Sequence, residues 1–161
     1  MKVEKEQKRA AYAACIWMII FGAAHIYSAF GGYYAVSSDP GTHHADSLEW
    51  MANIVVTMMC IAGIFVSLAA VRAWGRTVPR WTVSIPAWSG CILLVLRGGG
   101  GAIDQIFRLT GILPYGFFGS AESQYVTWAG RIFDAYVMIG AILFVMTTRL
   151  YLYKVNPLND F

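Results

Sequence analysis

Charged residues are scarce in this chain. Lysine, arginine, aspartate and glutamate make up 13% of its 161 residues, whereas a soluble globular domain usually contains about 25%. The charges lie in clusters between long neutral runs, and 58% of the chain is hydrophobic. This pattern argues against a soluble domain and predicts an integral membrane protein.

Motifs for covalent chemistry are also missing. The chain has no GxSxG, HExxH or Walker sequence, and the four glycines at 98–101 are not followed by Lys and Ser or Thr. Cys15, Cys60 and Cys91 form no CxxC pair, which favours buried structural thiols. The chain also lacks a basic face with interleaved aromatic residues, so its sequence does not indicate nucleic-acid binding. We therefore predict no catalytic residue, no metal site, no cofactor and no nucleic-acid partner.

Four apolar runs are long enough to cross a bilayer, at about 20 residues per span: 10–36, 48–73, 81–97 and 128–152. The first run exceeds the roughly 7–15 apolar residues of a cleavable signal, so we interpret it as an uncleaved span. Small residues such as Gly22, Gly63 and Gly130 would let helices approach closely. The expected fold is an all-α membrane protein, an antiparallel four-helix transmembrane bundle forming one domain over 1–161.

The connection at 97–127 is the longest, and it is not purely polar. Its four glycines, 98–101, predict a flexible break after the third span. Beyond them, apolar residues at helical spacing and Asp104 four residues before Arg108 predict a short interfacial amphipathic helix that ends before Pro114.

Basic residues indicate the orientation of the spans. They occur in the N-terminal arm at 2–9, in the connection at 72–80, and at Arg149 and Lys154, whereas the loop at 37–47 has none. Because cytoplasmic loops carry an excess of Lys and Arg, both termini are expected on the cytoplasmic side.

Polar side chains of all four spans fall in the half of the membrane away from the termini. At a rise of about 1.5 Å per residue, His25 lies roughly 12 Å below the outer surface. An ionisable residue inside a membrane costs several kcal/mol unless it is paired or hydrated, so such residues are functional candidates. We predict a ligand-binding pocket, open to the outer face and covered by the 97–127 connection, lined by His25, Tyr27, Glu49, Asn53, Arg97, Asp104, Arg131 and Asp134.

A structural interpretation of the same residues is preferred over the pocket. In it, Arg97 pairs with Asp134 and His25 donates to a backbone carbonyl, so the cluster clamps the helices together. Arg131 lies three residues before Asp134 and is spaced to pair with it along the helix.

Histidines outside the spans offer little for a metal or haem. His43 and His44 lie in a loop that also holds Asp39 and Asp46, and imidazole with carboxylate can bind a metal. We interpret them as solvated loop residues. Haem fits poorly because a single histidine lies within a span.

One stretch resembles a known family. The residues His25-Ile26-Tyr27-Ser28-Ala29-Phe30-Gly31-Gly32 resemble the pattern H-x-Y-W-A-x-G-G, which ends the first span of an uncharacterised family of small four-span bacterial membrane proteins (a domain of unknown function). Ser28 replaces the tryptophan. The resemblance implies a four-span fold in the bacterial inner membrane, and it adds no reaction because that family has no assigned activity.

Three functions stay open at this point. The preferred one is a non-catalytic membrane protein, an accessory subunit or a self-associating bundle, whose partners are the lipid bilayer and a membrane protein or a second copy. The alternative is a binder or carrier of a small lipophilic ligand, and the third is an oligomeric proton-coupled transporter. An enzyme is the least favoured, although His25 and Asp134 would suit an acid–base pair.

Overall fold

The computed structural model describes residues 2–32, 47–117 and 124–155. Within these residues the chain is helical and contains no strand; its elements are α1 (Lys2–Ala29), α2 (Ser47–Ala69), a short 3-10 turn (Ala73–Arg76), α3 (Arg80–Leu109) and α4 (Gln124–Val155). All four α-helices are long and apolar enough to cross a membrane. The prediction of an all-α chain with four helices of membrane-spanning length is confirmed.

The third helix differs from the prediction. Helix α3 continues without a break from Arg80 to Leu109, so the glycines at 98–101 lie inside it. The predicted flexible break and the separate interfacial helix are therefore wrong, because the segment around Asp104 is the last part of α3.

Close packing against α4 explains why the glycines remain helical. A helical glycine costs about 1 kcal/mol relative to alanine, which favours a break when the sequence is considered alone. A Cβ atom at Gly98 would approach the side chain of Met138, and one at Gly101 would collide with the carboxylate of Asp134. These two glycines let α3 approach α4 closely, and the resulting contact offsets their poor helix propensity.

Helix α1 begins earlier than the apolar run. The charged N-terminal residues are helical, and Glu4 pairs with Lys8 over 2.9 Å. Gln7 is almost completely buried, and its side-chain amide donates to the backbone carbonyl of Ala70 over 2.8 Å. Ala70 directly follows α2, so this bond supplies a partner at a helix end, where carbonyl groups lack one.

Helices α1 and α4 pack around one aromatic cluster. The indole of Trp17 donates to the backbone carbonyl of Tyr136 over 3.1 Å, and the hydroxyl of Tyr136 donates back to the carbonyl of Trp17 over 3.2 Å. The two rings stack 5.0 Å apart. Gly140 makes room for the indole, which a Cβ atom there would overlap. This reciprocal pair fixes the register of α1 against α4.

Contacts are uneven around the bundle. Helix α1 packs along α2 and α4, and α3 packs along α4, whereas α2 and α3 meet in few places. Contacts between α1 and α2 run in opposite sequence order, since Gln7 reaches Ala70 while His25 reaches Asn53. The sparse contact between α2 and α3 leaves a space between them, and that space contains the candidate site.

Candidate functional site

A cavity of about 540 Å³ lies between α2 and α3. Its volume is within the range of about 300–1,000 Å³ that is typical of small-molecule sites. Its walls are mostly apolar and come from all four helices; they include Met18, Phe21, Met59, Leu93 and Phe144. Two of the predicted site residues, His25 and Arg97, also line this α2–α3 cavity.

His25 is held by a side chain of α2. Its Nδ1 atom lies 2.7 Å from Oδ1 of Asn53, and Asn53 is 8% exposed. The Asn53 amide also donates to the backbone carbonyl of Glu49 over 3.0 Å, and Thr57 donates to the carbonyl of Asn53 over 2.8 Å. The predicted bond from His25 to a backbone carbonyl is therefore wrong, because a side-chain oxygen takes its place.

Two phenylalanines connect His25 with Arg97. Phe21, one helical turn before His25, meets the imidazole edge-on with ring centroids 4.6 Å apart. The ring centroids of Phe133 and Phe21 lie 5.9 Å apart. The guanidinium carbon of Arg97 lies 5.1 Å from the centre of the Phe133 ring. A guanidinium within about 6 Å of a ring centroid is attracted to the ring face. The imidazole and the guanidinium therefore lie at the two ends of an aromatic strip.

Arg97 also pairs with Asp134 on α4. One guanidinium nitrogen, Nη1, donates to Oδ1 of Asp134 over 2.7 Å, which confirms the predicted contact. The Arg97 side chain is 54% exposed and that of Asp134 only 13%. The carboxylate is thus the buried partner, and it lies against Gly101.

The end of α3 forms a separate structure. Asp104 accepts a bond from Arg108 over 2.8 Å, as the spacing predicts, and another from the backbone N–H of Phe117 over 2.5 Å. The rings of Phe107 and Phe117 pack edge-on 5.3 Å apart. Residues 110–117 therefore fold back onto the end of α3, and none of them lines the α2–α3 cavity. Residues 110–117 belong to the predicted lid, but they pack against the end of α3 and do not cover the cavity. Residues 118–123, which also belong to that lid, lie outside the described residues.

The other predicted site residues are dispersed. Tyr27 is 54% exposed and does not line the cavity, and Glu49 contributes its backbone carbonyl to Asn53. Arg131 is half-buried on α4, and its pairing with Asp134 stays a prediction.

The structure adds little on metals. His43 and His44 lie outside the described residues. Within 2–32, 47–117 and 124–155, no group of three His, Cys, Asp or Glu side chains is arranged to hold a metal ion.

Sequence analysis missed the aromatic residues of the site. Phe21 precedes His25 by four positions and Phe133 directly precedes Asp134, so helical spacing already placed Phe21 beside the imidazole. In an apolar run such rings resemble any other core residue, which is why they gave no separate signal.

Comparison with protein-family models, with curated proteins and with solved structures yields no match for this chain. The resemblance of the His25–Gly32 stretch to a four-span family therefore stays a prediction. The site thus combines an apolar cavity with an imidazole and with a guanidinium whose charge is compensated by a carboxylate.

Proposed function

We propose that this chain is a multi-pass membrane protein that binds a small lipophilic molecule in the α2–α3 cavity. In this proposal the helices form an antiparallel transmembrane bundle in the bacterial inner membrane, with both termini in the cytoplasm. The observation that carries it is the cavity itself, about 540 Å³ of mostly apolar space with His25 and Arg97 in its wall. Ligand sites commonly combine apolar walls with a few polar groups of this kind.

The outer surfaces support the membrane part of the proposal. Large apolar side chains on the outside include Ile16, Ile19 and Ile20 of α1, Met58 and Phe65 of α2, and Ile92 and Leu96 of α3. Exposed apolar patches of this extent are unusual in soluble monomers. They suit a bilayer, and the sparse contact between α2 and α3 suits entry of a ligand sideways from the lipid.

A second candidate is an accessory or self-associating subunit. It is favoured by Gly99 and Gly100, where an added methyl group would meet nothing within 4 Å, because small residues on a helix surface let a partner helix approach closely. A proton-coupled transporter has less support, since the hydroxyls of Thr57 and Thr147 both donate to carbonyls of their own helices.

Gly90→Leu tests the proposal, because Gly90 lines the cavity and its added Cβ would meet no atom within 4 Å. The side chain should project into the cavity and reduce its volume without disturbing the fold. Gly100→Leu is the matched control, since its Cβ is equally free and it does not line the cavity. The measurement is mass spectrometry of small molecules that co-purify with protein extracted in native lipid discs.

We expect wild type and Gly100→Leu to retain a bound small molecule and Gly90→Leu to lose it. The proposal is contradicted if wild type carries none or if Gly90→Leu retains it. Loss of a companion protein or of a second copy in Gly100→Leu, with an empty cavity in wild type, would support the subunit function instead.

A further inference from the structure

The hydrogen bonds of Asn53 determine which hydrogen-bonding group His25 can offer to a ligand. The backbone carbonyl of Glu49 can only accept, so the Asn53 atom 3.0 Å from it is the NH2 group. The other end of the amide, Oδ1, therefore faces His25 at 2.7 Å. The reverse assignment would place two acceptor oxygens against each other.

This arrangement fixes the tautomer of the imidazole. Because Oδ1 of Asn53 is an acceptor, Nδ1 of His25 must carry the hydrogen. In the neutral ring the second nitrogen, Nε2, then has a lone pair and accepts hydrogen bonds. In the part of the chain that the structure describes, the bond to Asn53 is the one hydrogen bond of this ring, and His25 lines the cavity. Nε2 is therefore the ring nitrogen left for a ligand.

The charges around the cavity favour a neutral ligand. The positive charge of Arg97 is compensated by the carboxylate of Asp134 at 2.7 Å, so the ion pair has a net charge of zero. An added anion would leave a net negative charge beside apolar walls, where an uncompensated charge is costly. The neutral ring is the form in which Nε2 can accept a hydrogen bond.

We infer that the ligand is a neutral lipophilic alcohol whose hydroxyl group donates a hydrogen bond to Nε2 of His25. This inference rests on the proposed function, since it names the chemical class of the molecule that the α2–α3 cavity holds. The apolar part of the alcohol lies along the cavity wall and beside the aromatic strip of Phe21 and Phe133. Asn53 acts as a positioning residue, because it holds the imidazole in the tautomer that accepts.

Three photoreactive probes test the chemical class. They share one long alkyl chain with a diazirine and end in a hydroxyl group, a methyl ether or a carboxylate. Each is added to the full-length protein in phosphatidylcholine nanodiscs, and labelling is mapped by mass spectrometry. Met59 and Met58 are both exposed on the outside, 44% and 61%, but only Met59 also lines the cavity, so labelling at Met59 is expressed relative to Met58.

The hydroxyl probe should label Met59 about fivefold more than the ether, which corresponds to about 1 kcal/mol, the size of one neutral hydrogen bond. His25→Phe keeps a ring beside Phe21 but has no nitrogen, and it should remove this preference while labelling by the ether persists.

Equal labelling by hydroxyl and ether overturns the inference. So does strongest labelling by the carboxylate, which would assign an anionic ligand. If no probe labels Met59 above Met58, or if Gly90→Leu leaves labelling unchanged, the proposed function itself fails.

A measurement on the native residue removes any dependence on folding of the variant. The chain has three histidines, so His43→Gln with His44→Gln leaves His25 as the sole source of imidazole signals. In protein labelled with ¹⁵N-histidine, NMR should show a protonated Nδ1 and an unprotonated Nε2. The hydroxyl probe should shift the Nε2 resonance and the ether should not. A ring protonated at Nε2 alone, or an Nε2 resonance that the alcohol leaves unmoved, overturns the inference.

Discussion

The two sides of helix α3 use the same residue type in opposite ways. Towards α4, Gly98 and Gly101 remove side-chain volume so that the helices touch, and the carboxylate of Asp134 fills the space that a Cβ atom would need. Towards α2, Gly90 borders a cavity and nothing lies within 4 Å of an added Cβ. A glycine in an apolar helix therefore indicates either close contact or open space, and the neighbouring helix decides which.

The largest effect is expected from Gly101→Val. Its side chain would displace the Asp134 carboxylate and push α3 away from α4, and overpacking of this kind typically costs about 1–3 kcal/mol. Gly100→Val adds the same side chain one residue earlier, where a Cβ meets nothing within 4 Å, and should change the free energy of unfolding by less than about 1 kcal/mol. Reversible unfolding in detergent measures both. Equal losses would contradict the close α3–α4 contact.

An asymmetric effect is expected at the ion pair. Arg97→Met leaves the Asp134 carboxylate, 13% exposed, without its partner, and an unsatisfied buried group costs about 1–3 kcal/mol. Asp134→Asn removes the charge from the buried side and leaves Arg97, 54% exposed, free to reach water, so we expect less than about 1 kcal/mol. The same unfolding assay compares the two variants. A larger loss for Asp134→Asn would show that the carboxylate is not the more buried partner.

The smallest effects are expected from single methyl groups at adjacent glycines. Gly99→Ala should raise the free energy of unfolding by up to about 1 kcal/mol, since alanine is the better helix former and its Cβ meets no atom within 4 Å. Gly98→Ala should gain less, because its Cβ would lie 2.9 Å from the Met138 side chain, which must move aside. Paired unfolding curves check the difference. If Gly98→Ala gains as much as Gly99→Ala, the tight α3–α4 contact does not extend to Gly98.

Local sequence signals predicted the parts of the fold that depend on one helix at a time. The apolar runs predicted four helices, and the four-residue spacing of Asp104 and Arg108 predicted their ion pair. The sequence also placed His25, Asn53, Arg97 and Asp134 at similar depths in their predicted spans. That similarity was the reason for grouping them as one candidate cluster. These predictions worked because hydrophobic length and helical rise are properties of a single segment.

Features that depend on two helices could not be predicted in the same way. Poor helix propensity at 98–101 predicted a break, and contact with α4 outweighed it, which a single sequence does not reveal. The α2–α3 cavity arises because two helices do not meet, and the composition of neither helix records that. The aromatic strip of Phe21 and Phe133 likewise needs α1 and α4 to be placed side by side.

The unbroken course of α3 also has a geometric consequence. Arg97 and Asp104 are seven residues apart on one continuous helix, hence about 10 Å along its axis. The folded-back segment at Phe117, which Asp104 holds, and the guanidinium at the cavity are therefore carried by the same helix, so a tilt of α3 would move both.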